Sequence, residues 1–309
     1  MRMESMLAEA IDALVVASLS EDLGVASSAL RVPGGVPDLL GRDVTSAAIV
    51  PHDARFTGHI VAREEGVVCG LPVVRRAWSM LSSAAGLAGA VEIEALVDEG
   101  ASVTQGARIA EVTGNARVVL AGERSALNAL MMLSGIATEA HRWQIEAGKD
   151  LIVVDTRKTA PGLRVMSKYA VAIGGASNHR YGLYDMALVK DNHLTFLGSI
   201  TKTVVALRSA AFDLKLEVEA DTVEQAVEAA LSGADMVLLD NMDDETLAAA
   251  VAAVREVSRK TGLPVLTEAS GSITFDRLAR LRATGVDRVS SSALTLAAPI
   301  DFGLDELAR

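Results

Sequence analysis

From residue 149 onward, short apolar runs alternate with stretches that have the hydrophobic spacing of helices. Six apolar runs are strand candidates: 151–155, 186–191, 214–220, 235–241, 263–269 and 287–294. Two of the helical stretches end at Gly233 and Gly262, where helix C-caps belong. Apolar strands alternating with amphipathic helices form a parallel sheet covered by those helices. The pattern predicts a (β/α) barrel of about six parallel strands over 149–309, with a C-terminal tail that could return to the N-terminal domain.

Before residue 149, short segments of alternating polarity predominate. Helices are predicted over 5–19 and 71–85, and a Pro- and Gly-rich loop over 25–42. Strand candidates lie at 54–70, 91–97, 107–114 and 116–122. We interpret 1–120 as an N-terminal α/β sandwich domain with an antiparallel sheet, joined to the barrel by a helix over 121–148. Arg124 is expected in the first turn of that helix, where the helix dipole disfavours a cation unless an anion is nearby.

Composition narrows the possible partners and the cellular compartment. The chain has 309 residues, of which 50% are hydrophobic and only 3% aromatic, so its core is built from aliphatic side chains. A formal charge of -11, with no basic stripe outside residues 155–193, argues against nucleic acid. A single cysteine, Cys69, excludes an internal disulfide and a cysteine-based zinc site, and fits the cytoplasm. No uncharged run approaches the roughly 20 residues of a membrane span, so no membrane association is expected.

One segment departs from the acidic character of the chain. Residues 155–193 carry six Lys and Arg side chains against three Asp, and they also contain two histidines, His179 and His193. Two clusters, Arg157-Lys158 and His179-Arg180, directly follow an apolar run or a Gly-rich turn, where α/β folds present functional loops. Surface ion pairing would explain such a segment, and so would a pocket for a polyanionic small molecule.

Polar side chains recur at or near the ends of the predicted strands. They are Arg157, Lys158, Lys190, Glu219, Asp240, Glu268, Ser270 and Ser290 to Ser292. Barrels place their chemistry at this edge, so the set predicts one site. Glu219 and Asp240 are hard oxygen ligands that could hold Mg²⁺ beside a diphosphate; the alternative is that they form ion pairs with Lys190 and Lys158.

Several longer motifs identify a family. They are EDLG, DVTS, GERSALNALMMLSGIAT, DTRKTAPGLR, KYAV, GGASNHRYGLYDM, KDNH, LEVEADT, LLDNM and EASG. In order and spacing they resemble the quinolinate phosphoribosyltransferases. The resemblance implies an open barrel and a homodimer, or an assembly of dimers, in which one subunit's N-terminal domain covers the other's barrel. It also implies the reaction of quinolinate with phosphoribosyl pyrophosphate (PRPP), with Mg²⁺, to nicotinate mononucleotide, pyrophosphate and CO₂ in the biosynthesis of NAD.

The resemblance also assigns roles to the candidate residues. Quinolinate would be bound by Arg157, His179, Arg180 and Lys190, joined by Arg124 of the partner subunit. Lys158 and Lys190, with Mg²⁺ held by Glu219 and Asp240, would stabilise the leaving pyrophosphate. The 5'-phosphate would be bound by Ser270, Gly271, Ser272 and Ser292.

Four departures from the family pattern keep two alternatives open. Ser272 and Ser292 stand where relatives have glycine, Leu296 stands where they have histidine, and the span 25–42 is an extension. One alternative is a paralogue of the same fold that acts on another pyridine or aromatic carboxylate, in secondary metabolism or in a molybdate operon. The other is a non-catalytic anion-binding homologue.

Overall fold

The computed structural model describes residues 2–210 and 213–307. Its contacts divide the chain into two compact units. The N-terminal unit comprises Met1–Glu139, Pro161–Gly174 and Ala297–Arg309, and the barrel unit comprises Ala140–Ala160 and Gly175–Leu296.

The described residues form helices and strands in the following order. The helices are α1 (Arg2–Leu23), α2 (Val44–Ile49), α3 (Leu71–Ala84), α4 (Ala116–Ala147), α5 (Arg164–Ile173), α6 (Asp191–Leu197), α7 (Ile200–Ser209), α8 (Val223–Leu231), α9 (Asp244–Thr261) and α10 (Leu278–Thr284). The strands are β1 (Arg55–Ala62), β2 (Gly66–Val67), β3 (Val91–Ala95), β4 (Ser102–Val103), β5 (Arg108–Asn115), β6 (Ile152–Val154), β7 (Ala187–Val189), β8 (Leu216–Ala220), β9 (Met236–Asp240), β10 (Leu266–Ser270), β11 (Arg288–Ser290) and β12 (Phe302–Glu306).

The N-terminal unit contains an antiparallel four-stranded sheet in the order β12-β1-β5-β3. Its first strand comes from the end of the chain, with Phe302 opposite Ala62 and Glu306 opposite Gly58. The C-terminal segment therefore completes the sheet that the N-terminal residues begin.

In the same unit, the N-terminus of α3 is capped by Glu99, whose carboxylate accepts hydrogen bonds from the N–H groups of Gly70 and Leu71 at 2.6 and 3.0 Å.

The span 25–42 is part of the N-terminal unit and contributes two buried leucines to it. It contains two single 3₁₀ turns, Ala29–Arg31 and Leu39–Arg42, each of which buries one leucine. Leu30 and Leu39 are both only 2% exposed. A backbone hydrogen bond from Gly34 N–H to Ser83 O, 2.8 Å long, joins the span to the end of α3. The extension adds apolar contacts to the core of this unit.

The start of α4 corrects the sequence prediction. Residues 116–122 were expected to form a strand, but α4 begins at Ala116. The side chain of Asn115 accepts hydrogen bonds from the N–H groups of Arg117 and Val118, which makes it the N-cap. Arg124 consequently lies two turns into the helix, so the argument from the helix dipole does not apply to it.

The barrel unit confirms the prediction of six parallel strands. They form one sheet in the order β6-β11-β10-β9-β8-β7. Each predicted strand contains most of an observed one, with ends that differ by a few residues. Among the described residues no ladder joins β6 to β7, so the barrel is open at these two edges. Within the described part of the chain, no helix has the length and apolar character needed to cross a bilayer.

Candidate active site

Three neighbouring parallel strands bring predicted site residues to one edge of the sheet. Asp240 and Ser270 are the last residues of β9 and β10 and are partners in the ladder. Glu219 is the penultimate residue of β8, which pairs with β9 on the other side. The carboxyl ends of these strands therefore form one surface, which we call the C-terminal edge. This is where barrels carry their chemistry.

The guanidinium groups of Arg157 and Arg180 are near enough for their charges to interact. Burial lowers the pKa of Arg180, and the positive charge of Arg157 lowers it further, with Glu217 and Asp185 opposing both effects. Arg180 is held by a hydrogen bond from Nη1 to Met186 O, 3.2 Å long. Two positive charges that are partly shielded from water repel each other, which raises the free energy of the site without ligand. An anion bound between the two guanidinium groups would lower that free energy. The arrangement suits a ligand with carboxylate groups.

The loop that carries Arg180 is anchored by a carboxylate that the sequence analysis counted only as a charge. Asp155, which follows β6, is fully buried. Its oxygens accept hydrogen bonds from Asn178 Nδ2 at 2.8 Å and from His179 N–H at 2.9 Å. Asn178 in turn accepts a hydrogen bond from the Tyr181 hydroxyl at 2.9 Å. Asp155 thus fixes the loop before Arg180 to the strand that precedes Arg157.

Lys190 and Glu219 form an ion pair at the C-terminal edge. The Lys190 side chain is 46% exposed, and the Glu219 side chain is 10% exposed. The backbone N–H of Lys190 donates to Nδ1 of His193 at 2.9 Å, which fixes the chain where α6 begins. The sequence left open that Glu219 and Asp240 form ion pairs with lysines, and Glu219 does pair with Lys190. Within residues 2–210 and 213–307, Lys158 and Asp240 form no such pair.

Close backbone packing shapes the loops after β9 and β10. Asn241 has a φ of 53° and donates through Nδ2 to Asp240 Oδ2 at 2.6 Å. A Cβ on Gly271 would lie 2.3 Å from Asn241 Oδ1, and Gly271 has a φ of 85°, so this position requires glycine. Ser272 follows with a φ of 50°, a left-handed conformation that costs a residue with a Cβ some strain. Ser270, Gly271 and Ser272 therefore form a tight turn at the edge.

The last loop of the barrel unit contains the other departures from the family pattern. Ser292 is half-buried, and Leu296 is 61% exposed. The side chain of Leu296 offers no hydrogen-bond donor.

The ring of His179 is buried rather than presented at the surface. Its Nε2 lies 2.9 Å from Glu217 Oε2 and 3.5 Å from Glu268 Oε1. Burial lowers the pKa of His179, and the carboxylates of Glu217 and Glu268 raise it. On the other side of the ring, the backbone N–H of Arg180 donates to Nδ1 at 2.8 Å, and an Nδ1 that accepts this bond carries no proton. This hydrogen bond favours a neutral ring with its proton on Nε2, because a proton on Nδ1 would face the N–H of Arg180.

Beneath the C-terminal edge lies a charged layer, formed by Glu217, Glu268 and Arg288. Both carboxylates are fully buried, and Arg288 Nε lies 3.1 Å from Glu268 Oε2. Side chains two residues apart on a strand share a face, so Glu217 lies below Glu219 and Glu268 below Ser270. Glu268 was expected near a strand end, but it is in the middle of β10. Glu217 was not predicted as a site residue, although it precedes Glu219 by two positions on the same strand.

Arg124 belongs to the N-terminal unit and is 59% exposed there. Its nearest carboxylate oxygen is Glu123 Oε1, at 3.9 Å, which is too long for a hydrogen bond. The prediction that it reaches the active site of a partner subunit remains a prediction.

A cavity of about 410 Å³ lies beside the edge strand β7. It includes Arg180 and His193, but apolar side chains such as Leu183, Met186 and Leu207 line most of it. It touches neither Glu219 nor Asp240. Its lining does not suit a dianionic substrate, and we assign the site to the C-terminal edge instead.

Comparison with known proteins agrees with this geometry. The family model of the quinolinate phosphoribosyl transferase N-terminal domain matches residues 43–134, and that of the C-terminal domain matches residues 136–305. The chain is 43% identical to a probable nicotinate-nucleotide pyrophosphorylase (carboxylating) of Synechocystis, covering 75% of this chain and 76% of the relative. It is 39% identical to the nicotinate-nucleotide pyrophosphorylase (carboxylating) of Mycobacterium leprae, covering 86% and 91%.

Solved structures resemble it over nearly the whole chain. NadC from Streptococcus pyogenes superposes with a TM-score of 0.82 at 33% identity, covering 96% of this chain and 97% of that one. The nicotinate-nucleotide pyrophosphorylase of Francisella tularensis gives a TM-score of 0.81 at 30% identity, covering 97% and 96%. With both family models matched in order along the chain and the fold shared with solved structures over nearly its whole length, this protein belongs to the quinolinate phosphoribosyl transferase family.

Proposed function

We propose that this protein transfers the phosphoribosyl group of PRPP to quinolinate and releases CO₂, giving nicotinate mononucleotide and pyrophosphate. The observation that carries the proposal is that the charges of two half-buried guanidinium groups, Arg157 and Arg180, interact in the barrel unit. Quinolinate carries two carboxylates, and planar guanidinium groups bind carboxylates through paired hydrogen bonds. The Lys190 ammonium adds a third cation in the same unit.

The chemistry requires positioning and charge neutralisation. The bond between C1 of the ribose and pyrophosphate breaks, and the pyridine nitrogen forms a new bond to C1. Lys158 and Lys190 would stabilise the negative charge that accumulates on the leaving group. The bond from C2 to its carboxylate then breaks, its electron pair stays on C2 beside the positively charged ring nitrogen, and a proton taken up from water at C2 completes nicotinate mononucleotide. Arg157 and Arg180 would hold the ring so that its nitrogen faces C1.

Glu219 and Asp240 fit a magnesium ion. Both are carboxylates at the ends of adjacent strands, and both side chains are partly accessible. Mg²⁺ is usually held by one or two carboxylates together with substrate phosphates. When bound there, it would neutralise charge on the diphosphate of PRPP.

We further propose a cytoplasmic homodimer, or an assembly of dimers, with shared sites. Arg124 supports the shared site, since it is a largely exposed cation whose ion pair with Glu123 is long, at 3.9 Å. An anionic substrate in a partner's barrel would give it a counterion. The single cysteine, Cys69, is buried and in no disulfide, as suits a reducing compartment.

The direct test is an assay of the purified protein with quinolinate, PRPP and Mg²⁺. We expect nicotinate mononucleotide, pyrophosphate and CO₂ in equal amounts. Nicotinate is the matched control, since it lacks the C2 carboxylate, and it should turn over poorly. No product from quinolinate, together with product from another aromatic carboxylate, would contradict the proposal in favour of a paralogue.

A further inference from the structure

The ring of His179 directs both of its nitrogens at the protein. Nε2 faces the carboxylates of Glu217 and Glu268, at 2.9 and 3.5 Å. Nδ1 accepts the backbone N–H of Arg180 at 2.8 Å. With the side chain only 7% exposed, the ring has no nitrogen directed towards solvent or substrate. This differs from the role that the family resemblance implies for it.

We propose that His179 is a positioning residue, which the charged layer below it fixes so that its Nδ1 holds the backbone of Arg180 in the orientation that binds the substrate. This inference rests on the proposed function, because Arg180 is assigned there to quinolinate. It assigns Glu217, Glu268 and Arg288 a role in the site through His179, without contact with substrate.

The charged layer is suited to hold a ring rigidly. Arg288 and Glu268 are ladder partners on β11 and β10, and their charges balance within the barrel. Both carboxylates are fully buried, so water does not screen their attraction for the Nε2–H of His179. A buried polar group that loses its partner costs about 1 to 3 kcal/mol, which disfavours rotation of the ring.

The backbone of His179 is fixed independently of its ring. Its N–H donates to Asp155 at 2.9 Å, and Asp155 also holds Asn178. The N–H of His179 is thus bound by the Asp155 carboxylate that follows β6, and the N–H of Arg180 is bound by the imidazole. This leaves the guanidinium of Arg180 on a backbone that is ordered before substrate arrives, which lowers the entropic cost of binding.

The first test reads the ring directly by ¹⁵N NMR of the full-length protein labelled at histidine. The His179 resonances are assigned as those lost in His179→Asn. We expect a neutral ring with its proton on Nε2, and the same state after quinolinate is added. A proton on Nδ1, or a change of tautomer on adding quinolinate, would overturn the proposal. The measurement needs no turnover, so an inactive wild type would count against the proposed function alone.

The second test separates positioning from general damage with a matched pair at Glu217. Glu217→Gln keeps an oxygen that accepts from Nε2–H, whereas Glu217→Leu removes it. In Glu217→Leu we expect the KM for quinolinate to rise about tenfold to hundredfold, the penalty for a misplaced binding group, with the KM for PRPP little changed. Glu217→Gln should restore most of the quinolinate affinity.

Equal increases in both KM values, or no rescue by Gln, would show that Glu217 only supports the fold. If Glu217→Leu does not fold, Glu217→Gln and the NMR spectrum still decide. A ring proton on Nε2 together with a near-normal KM for quinolinate in Glu217→Gln would uphold the proposal. A tenfold higher KM for quinolinate in that variant would reject it.

Discussion

The hydroxyl of Thr295 donates a hydrogen bond to the backbone carbonyl of Lys158, with an oxygen-to-oxygen distance of 2.7 Å. Thr295 is buried, whereas the Lys158 side chain is exposed. The bond joins the loop after β11 to the loop after β6, and these two strands are neighbours in the sheet. Lys158, assigned to the leaving pyrophosphate, is therefore held by the loop that is assigned to the 5'-phosphate of the same substrate.

Replacing Thr295 by valine should loosen Lys158 specifically. Valine preserves the shape of threonine but removes the donor, at a cost of about 1 kcal/mol. We expect the KM for PRPP to rise several-fold and the KM for quinolinate to stay near the wild-type value. Thr295→Ser, which retains the hydroxyl, is the control. Identical kinetics for valine and serine would show that the hydrogen bond does not order Lys158.

Truncating either guanidinium should weaken quinolinate binding. Removing one side of a desolvated charge pair costs about 2 to 5 kcal/mol, so Arg157→Ala and Arg180→Ala should each show this loss in calorimetric titrations. Arg259→Ala is the matched control, because Arg259 is exposed on α9 and contacts only Glu256 among the described residues. Near-wild-type affinity in both site variants would remove Arg157 and Arg180 from the quinolinate site.

The barrel was predictable because mostly apolar strands alternate with amphipathic helices, and this pattern does not depend on the rest of the chain. The beginning of α4 was not predicted, because residues 116–122 are apolar enough to suit either a strand or a helix. Asn115 decides between them as a cap, a short-range signal that was overlooked. The charged layer was also missed. A carboxylate such as Glu217 in a strand resembles a surface position until its buried partners are known.

A shared active site predicts complementation between inactive chains. If Arg124 acts in the partner's barrel, then mixing Arg124→Ala with Lys190→Ala should give heterodimers with one intact site. We expect each variant alone to be nearly inactive and the mixture to recover up to about a quarter of the wild-type activity, from random pairing of chains with one intact site in half of the dimers. Heterodimers demonstrated by mass spectrometry but lacking activity would indicate that Arg124 acts within its own subunit or not at all.

Asp235, at the end of the barrel opposite the site, should make the free energy of unfolding depend on pH. Burial raises the pKa of Asp235, but hydrogen bonds from Lys215, Arg208 and the N–H of Leu216 outweigh it, so the net pKa is lowered. The two cations lie 2.8 and 2.6 Å away. A carboxylate with a lowered folded-state pKa stabilises the fold above its unfolded pKa of about 3.9, and this contribution is lost as the pH falls through the folded value.

Asp235→Asn should therefore lower the free energy of unfolding by about 1 to 3 kcal/mol at neutral pH. The difference from wild type should shrink as the pH falls below about 4, as measured by urea unfolding. Asp276→Asn, which alters an exposed carboxylate, is the control and should change little. A difference that grows on acidification would have the wrong sign for this mechanism.

The substitutions at Ser292 and Leu296 test whether the phosphate loop still suits PRPP. Leu296 is exposed and cannot donate a hydrogen bond, whereas the histidine of relatives can. Loss of one charge-assisted hydrogen bond costs about 1.5 to 3 kcal/mol, or a roughly tenfold to hundredfold weaker grip on the phosphate. The hydroxyls of Ser272 and Ser292 would offset this loss if they donate to the phosphate.

The double variant Ser292→Gly with Leu296→His decides between these outcomes. Glycine restores close backbone access and histidine restores a donor, so we expect the KM for PRPP to fall while that for quinolinate stays nearly constant. Ser272→Gly alone is the comparison for the left-handed turn at a φ of 50°: it relieves strain and removes one hydroxyl, so a higher KM for PRPP would show that this hydroxyl binds the phosphate. An unchanged or higher KM for PRPP in the double variant would mean that the serines already form a competent phosphate site. Absence of turnover in both forms would instead favour a different carboxylate substrate, because the Arg157 and Arg180 pair would then serve another anion.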